Sequence, residues 1–127
     1  ESRRTLNSFL ILLEQLQSNS VVIAATNHPQ ILDEALNRRF DDIIKFKLPS
    51  DKEIKEFLEN RLSMFKTESL EWEKIISLSH GLSLGDINKA FDDGAKQAIF
   101  DNKGVIVSNH LVNSLERRKY SKAGRGN

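Results

Sequence analysis

One continuous apolar run constrains the fold of this chain more than any other feature. Val21–Ala25 contains no polar residue and is partly β-branched, and the polar Asn27 follows shortly after it. A strand with one face in water alternates apolar and polar residues, whereas an uninterrupted apolar strand is buried on both faces of a parallel sheet. The run therefore predicts a buried strand of an α/β sheet.

The segments on either side of this run support an α/β arrangement. Before it, apolar residues recur at three- and four-residue spacing, which predicts a helix with one apolar face: Leu6, Phe9, Leu10, Leu13 and Leu16. After it, residues 31–37 indicate a short helix. Apolar residues then alternate with lysines over residues 44–48, which predicts a second strand that ends at Pro49. Helix–strand–helix–strand is the order of an α/β fragment.

After Pro49 the pattern becomes helical. Ser50 with Glu53, and Ser83 with Asp86, each have the spacing of a capping box, in which a hydroxyl and a carboxylate satisfy backbone donors reciprocally. The apolar spacing predicts helices after both boxes, a helix between them that stops at His80-Gly81, a short extended segment at residues 105–107, and a last helix capped by Ser108. Leu84 is expected on the inner face of its helix.

The predicted organisation has three parts. Residues 1–49 form the end of an α/β domain that contributes the last strands of a parallel sheet. Residues 50–116 form an all-α helical subdomain. Residues 117–127 are basic and polar, which predicts a flexible tail that either contacts acidic partners or is simply solvated.

Composition excludes several classes of protein. The chain has 127 residues, 39% hydrophobic and 29% charged, as in globular proteins. It has no cysteine, which excludes disulfides and thiolate metal sites and fits a cytoplasmic location. Its three histidines lack ligand spacing, so no metal site is expected. No apolar run approaches the roughly 20 residues that span a bilayer, and we expect the segment at the start of this sequence not to act as a signal peptide.

Asn27 is the first candidate for chemistry. It lies just past the end of the predicted buried strand, where open parallel sheets bind ligands. A neutral amide there can orient an attacking water or bind a terminal phosphate without adding a repelling negative charge. The alternative is that Asn27 opens a turn which His28 and Pro29 continue.

Arg38 and Arg39 are the second candidate. Guanidinium groups stay charged and can spread over several phosphate oxygens. Supplied from a neighbouring subunit, such a group accelerates hydrolysis by roughly 10³–10⁵-fold. The alternative is an exposed arginine pair that bridges Asp41 and Asp42.

The combination of these features resembles the AAA+ ATPase family. AATNHPQILDEALNRRFDDIIKFKLPS, residues 24–50, has the family's order of a sensor Asn, a short LD-x-AL helix, arginines before Phe-Asp, and a strand that ends in Leu-Pro. GLSLGDI, in the second half, is similar to the G-x-S-G-A-D-L segment of the family's helical lid. The resemblance extends from about Thr5 to Leu115, and it implies that residues 1–49 are the C-terminal part of the family's α/β nucleotide-binding subdomain and residues 50–116 its helical lid.

The resemblance implies roles for three residues of the first half. Asn27 matches the sensor-1 residue, and Arg39 matches the arginine finger nearest to Phe-Asp. Arg38 matches a second finger, although the Pro-Gly spacer that usually separates the two arginines in the AAA clade is absent here.

In the second half, Leu84 and Gly85 stand where a Gly-Ala pair of the lid meets the nucleotide base, and this chain has Leu at the first of these positions. Phe57 matches an apolar lid position that packs on adenine, and plain helix core is its alternative. The sensor-2 arginine of other AAA+ clades has no counterpart.

The family's function follows from the resemblance. It implies ATP and Mg²⁺ as cofactors, a homo-oligomeric ring that is commonly a hexamer, and hydrolysis coupled to remodelling of a protein or nucleic-acid client. An alternative is a non-hydrolysing AAA-like assembly or adaptor subunit that donates arginine fingers to a partner ATPase. A third, an independent helical nucleic-acid binder, is disfavoured by the net charge of +1.

The sequence lacks the parts that hold phosphates. No glycine is followed by lysine, so there is no G-x-x-x-x-G-K-S/T loop, and no apolar strand ends in Asp-Glu. We expect those parts to precede this segment in a longer protein. The purified 127-residue chain should therefore release no phosphate from Mg-ATP in a coupled assay. Turnover above the protein-free blank would contradict this expectation.

Overall fold

The computed structural model describes residues 2–15, 19–31 and 34–124. The chain divides into two compact units, Glu1–Phe46 and Lys47–Asn127. The division falls close to Pro49, where the sequence pattern changes. The assignment of these parts as nucleotide-binding subdomain and lid stays a prediction.

The first unit is built around one helix. Helix α1 (Ser2–Gln15) is followed by a 3₁₀ helix (Pro29–Ile31) and a short helix α2 (Glu34–Asn37). The helix predicted ahead of the apolar run is thereby confirmed. Leu10 is buried, whereas Phe9 remains 52% exposed. The apolar face of α1 is therefore only partly covered within the unit, and Leu16 lies outside the described residues.

The two strands predicted in the first unit are not formed. Residues 19–28 and 41–50 have no regular secondary structure, and Val21 and Ile23 are 88% and 89% exposed. A strand exists only when a neighbouring strand exchanges backbone hydrogen bonds with it. The described residues of this unit contain no such neighbour. The prediction of a parallel sheet here is therefore wrong for the described residues.

The second unit contains most of the regular structure. Its elements are α3 (Asp51–Leu62), β1 (Lys66–Glu68), α4 (Trp72–Ser79), α5 (Leu84–Asp101), β2 (Val105–Val107) and α6 (Ser108–Gly124). Both predicted capping boxes are confirmed, since Ser50 and Ser83 each exchange hydrogen bonds with the carboxylate and the backbone N–H of the residue three positions on. Helix α4 ends as predicted, just before Gly81, whose φ of 81° suits glycine.

The second unit is not all-α as predicted. Strands β1 and β2 pair in parallel, with Thr67 opposite Ile106 at the centre of the pairing. The extended segment at residues 105–107 is therefore confirmed as β2. The partner strand β1 was missed because its three exposed residues show no apolar alternation.

The core of the second unit draws on α3, α4, α5, β2 and α6. Its largest fully buried side chains are those of Ile54, Leu58, Ile75, Leu82, Ile87, Phe91, Ile106 and Leu111. Burying an aliphatic or aromatic side chain of this size contributes about 1.5–3 kcal/mol. Leu84 is 40% exposed, contrary to the prediction, because it occupies the first turn of α5, before the buried face begins.

Ser108 does not cap α6 as predicted. Its hydroxyl accepts a hydrogen bond from the Glu71 backbone N–H (2.5 Å) and donates one to the Ser69 carbonyl (2.9 Å). Ser69 has a φ of 51°, in the left-handed region. The serine therefore fastens the β1–α4 loop to the start of α6.

The flexible tail predicted from Arg117 is instead helical as far as Gly124. Basic side chains of this part contact the other helices. Arg118 pairs with Asp93 on α5 at 3.8 Å, and the Lys122 ammonium donates to the Gly81 carbonyl at 3.1 Å. These contacts favour a packed helix face.

No helix in the described parts of the chain is both long and apolar enough to cross a membrane.

Helices α5 and α6 come into close contact at Gly94. A Cβ added there would lie 2.8 Å from the His110 carbonyl oxygen and 3.1 Å from its carbon. We expect Gly94→Ala to destabilise the chain by about 1–3 kcal/mol, as overpacking does, despite a helix-propensity gain of up to about 1 kcal/mol. Urea unfolding followed by the fluorescence of the single tryptophan, Trp72, measures this.

Gly85→Ala is the matched control, because an added Cβ there would contact only the Ser83 hydroxyl, at 3.7 Å. It should leave the free energy of unfolding unchanged or raise it slightly. Equal effects of the two substitutions would show that the α5–α6 approach does not require glycine.

Candidate functional site

Asn27 lies at a bend between the apolar run and the 3₁₀ helix, and it is exposed. The residues around it hold the turn. The Thr26 hydroxyl accepts a hydrogen bond from the His28 N–H at 3.0 Å, and the Arg3 guanidinium donates to the Gln30 carbonyl at 3.0 Å. The Asn27 side chain makes no hydrogen bond to any described residue, so its amide is available to a ligand. This placement fits both the turn and the sensor interpretations.

The two arginines are held in different ways. Arg39 Nη1 donates to Glu14 Oε2 on α1 at 2.5 Å, and its side chain is 29% exposed. Arg38 Nη2 donates to Glu34 Oε1 on α2 at 2.6 Å, and its side chain is 76% exposed. Arg39 is therefore the more enclosed of the two and is held from another helix.

Among the described residues the arginines do not bridge the following aspartates, whereas the exposed Arg38 agrees with the surface-pair alternative. No ion pair there joins either arginine to Asp41 or Asp42, since both guanidinium groups pair with glutamates. No hydrogen bond joins Asn27 to either arginine in the described part of the first unit. The structure thus places the three candidates in one unit, with no hydrogen bond between Asn27 and either arginine among the described residues.

The lid candidates lie on two helices of the second unit. Phe57, on α3, is half-buried and packs against the core, as its plain-core interpretation requires. Leu84 and Gly85 form the first turn of α5, where a Cβ added at Gly85 would meet the Ser83 hydroxyl oxygen at 3.7 Å, an ordinary van der Waals contact.

Asp86 places a negatively charged carboxylate at the start of α5. The Ser83 hydroxyl, which donates to its carboxylate at 2.8 Å, lowers the pKa of Asp86. Partial burial opposes this effect, while the Ser83 backbone N–H and Lys122 add to it. The carboxylate therefore stays ionised and satisfies donors of the helix start.

Sequence reasoning missed a polar cleft in the second unit. It has a volume of about 640 Å³, and its lining includes Gln97, Asp101, Asn109, His110, Asn113 and Arg117. His110 Nδ1 accepts a hydrogen bond from the Val107 N–H at 3.0 Å, so the neutral imidazole donates from Nε2 to Asp101, 2.8 Å away. Hydrogen bonds from Gln97 and then His110 lower the pKa of Asp101.

The His110–Asp101 pair joins the end of α5 to the start of α6, and its separation of nine residues carries no recognisable motif. Within the described ranges, no group of three or more His, Cys, Asp or Glu residues is arranged to hold a metal ion.

In a comparison with known proteins, residues 1–48 match the model of the ATPase family associated with various cellular activities (AAA). This segment contains Asn27, Arg38 and Arg39. The chain is also 35% identical, over 122 residues and 92% of its length, to a proteasome-activating nucleotidase of Saccharolobus islandicus. The chain belongs to the AAA+ ATPase family. The resemblance carried by residues 24–50 is thereby confirmed.

Other relatives of this AAA+ chain extend the similarity. A 26S proteasome regulatory subunit homolog of Methanothermobacter thermautotrophicus is 30% identical over 119 residues, 91% of this chain. The ATP-dependent zinc metalloprotease FtsH of Mesoplasma florum is 29% identical over 121 residues, also 91% of this chain. The chain spans only 32% of the first of these proteins, 19% of the second and 31% of the nucleotidase.

The capping box at α5 predicts that the effect of Ser83→Ala on the free energy of unfolding depends on pH. Because the folded-state pKa of Asp86 lies below its ordinary value of 3.8, its stabilisation is complete above that value and is lost as the pH falls through the folded pKa. Ser83→Ala should cost about 1 kcal/mol at pH 7, as loss of an N-cap does, and less at pH 3, which lies below the ordinary pKa of Asp86, so that part of this stabilisation is already lost. Urea titrations at both pH values test this.

The control for the capping prediction is Ser121→Ala, which removes an exposed hydroxyl from α6. It should change stability at neither pH. An effect of Ser83→Ala that is the same at pH 7 and pH 3 would contradict the role of the Asp86 charge.

Proposed function

We propose that this chain is the sensor, finger and lid portion of an AAA+ ATPase that couples ATP hydrolysis in an oligomeric ring to remodelling of a client. One observation carries the proposal. An unoccupied exposed amide, Asn27, and two guanidinium groups, Arg38 and Arg39, lie together in the residues matched by the family model. These groups suit phosphoryl transfer, which depends on positioning and on stabilisation of charge.

Each group has a role in this proposal. Asn27 acts on its own subunit, where its amide orients the attacking water against the terminal phosphate. Arg39 reaches the site of the neighbouring subunit and stabilises the charge that develops on the transferred phosphoryl group. Arg38 adds a second positive charge. Hydrolysis is thereby coupled to assembly, since neither subunit holds a complete site alone.

In this proposal the adenine base of ATP lies against the first turn of α5. Leu84 offers a 40% exposed apolar side chain, and Gly85 leaves room for close approach of a flat base. The resemblance also assigns Phe57, which is half-buried on α3, to the adenine. The phosphate-binding loop and the Mg²⁺ ligands belong to a part of the full-length protein that precedes this segment. Mg²⁺ supplies neutralisation of the phosphate charges when it is bound.

The client is proposed to be a protein. Relatives of this chain are named as a proteasome-activating nucleotidase, a proteasome regulatory subunit homolog and an ATP-dependent protease, and all three names refer to protein degradation. The net charge of +1 gives a nucleic-acid client no electrostatic support. We place the assembly in the cytoplasm as a homo-oligomeric ring, with six subunits as the expected number.

The second candidate function is a non-hydrolysing adaptor that donates its arginines to a partner ATPase. The ion pair that holds Arg39 suits a donor equally well, because a finger acts outside its own subunit. Residues encoded upstream decide between the two functions. An intact G-x-x-x-x-G-K-S/T loop and an apolar strand that ends in Asp-Glu favour the ATPase, and degenerate versions favour the adaptor.

The proposed action of Arg39 on the site of the neighbouring subunit predicts how substitutions change ATP hydrolysis by the full-length ring. Arg39→Ala should lower kcat for ATP by about 10³-fold or more while the nucleotide Kd stays within about threefold. Asn27→Ala should also lower kcat. Mixed rings of the two variants should regain part of the activity, because some sites then pair an intact Asn27 with an intact Arg39 from the neighbour.

Arg4→Ala is the control for the loss of a positive charge, since Arg4 is exposed on α1. It should leave kcat unchanged. An assembled Arg39→Ala ring that retains its activity would refute the finger assignment, and mixed rings without recovery would refute action in trans.

A further inference from the structure

Helix α1 contacts the candidate site at both of its ends. Near its start, the Arg3 guanidinium donates to the Gln30 carbonyl at 3.0 Å, just after Asn27. Near its end, Glu14 Oε2 accepts from Arg39 Nη1 at 2.5 Å. Residues 3 and 14 lie roughly 16 Å apart along a helix that rises 1.5 Å per residue. One rigid element therefore holds both the segment after the sensor residue and the finger.

The geometry of the Glu14 contact leaves most of the Arg39 guanidinium available. One nitrogen, Nη1, binds the carboxylate. A guanidinium carries five N–H donors in a planar fork, and Nε and Nη2 of Arg39 have no partner among the described residues. A contact through one nitrogen fixes the plane of the group and leaves donors to meet a phosphate.

The neighbouring arginine lacks this arrangement. Arg38 pairs with Glu34 only four residues away, and both side chains are highly exposed, at 76% and 82%. Arg39 and Glu14 are 25 residues apart and are exposed at 29% and 49%. A partner on another helix restrains a long side chain relative to the fold, whereas a partner in the same turn moves with it.

We propose that Glu14 is a positioning residue for Arg39, holding its guanidinium in the orientation in which it meets the phosphate of the neighbouring subunit. This inference rests on the proposed finger role of Arg39. Pre-ordering a flexible side chain removes an entropic cost that would otherwise fall on the transition state. Glu14 itself contacts no reacting atom. Its loss should therefore lower kcat and leave nucleotide binding intact.

The test uses the full-length assembled protein. Glu14→Gln keeps the size of the side chain and removes its charge. We expect kcat to fall about 10–100-fold, as for a misplaced catalytic group, with KM for ATP within about threefold and with ring assembly and Tm unchanged. Glu14→Asp restores the charge on a shorter arm and should recover part of the lost kcat. An unchanged or raised kcat in Glu14→Gln would overturn the proposal, a raised one because Glu14 would then restrain the finger.

Asp92→Asn is the matched control. It neutralises the carboxylate of another arginine pair, Arg61–Asp92, which is also 2.5 Å long and lies in the second unit, with both side chains 42% exposed. It should leave kcat within twofold of the parent. An equal fall in kcat for both neutralised pairs would mean that lost ion pairing of any kind slows the protein, and would overturn the specific role of Glu14.

A double-mutant cycle separates this inference from the function on which it rests. If Glu14 acts through Arg39, Glu14→Gln should cause no further fall in single-turnover rate when Arg39 is already alanine. Equal falls in both backgrounds would overturn the positioning role while the finger role stands. High activity of Arg39→Ala alone would instead refute the proposed function.

Discussion

The close approach of α5 to α6 at Gly94 is the constraint on which the packing of the second unit depends. The absence of a side chain there lets the His110 backbone come within 2.8 Å of the place that a Cβ would occupy. In the same region His110 lies beside Asp101, and β2, which lies between the two helices in sequence, pairs with β1. Helix α5 also carries Leu84 and Gly85, which are exposed in its first turn.

Each of the two units is stabilised internally by a different kind of interaction. The second unit has a continuous apolar core with satisfied caps at α3 and α5, so its helices are defined by burial. In the first unit, Leu10 is the buried apolar side chain among the described residues, and polar contacts from α1 organise the segment that carries the candidate catalytic groups. Exposed ion pairs are weak individually. Each such contact therefore stabilises the first unit less than a buried side chain of the core stabilises the second.

Local sequence signals predicted the second unit well. Ser50 and Ser83 begin helices because a hydroxyl and a carboxylate at that spacing satisfy donors within one turn, whatever surrounds them. The prediction failed where a partner far along the chain decides the outcome. Ser108 has the sequence position of a cap, yet its hydroxyl joins the loop at Ser69 and Glu71. Strand β1 exists because β2 pairs with it and has no pattern of its own.

The sequence by itself determined the family, the helices after Pro49 and the identity of the candidate groups, because motif order and helix spacing are local properties. Tertiary structure decided whether an apolar run becomes a strand, since Val21–Ala25 needs a paired neighbour to do so. It also decided which arginine is restrained. Arg38 and Arg39 cannot be distinguished by residue type. Only the folded position of α1 brings the Glu14 carboxylate, 25 residues away in sequence, to Arg39.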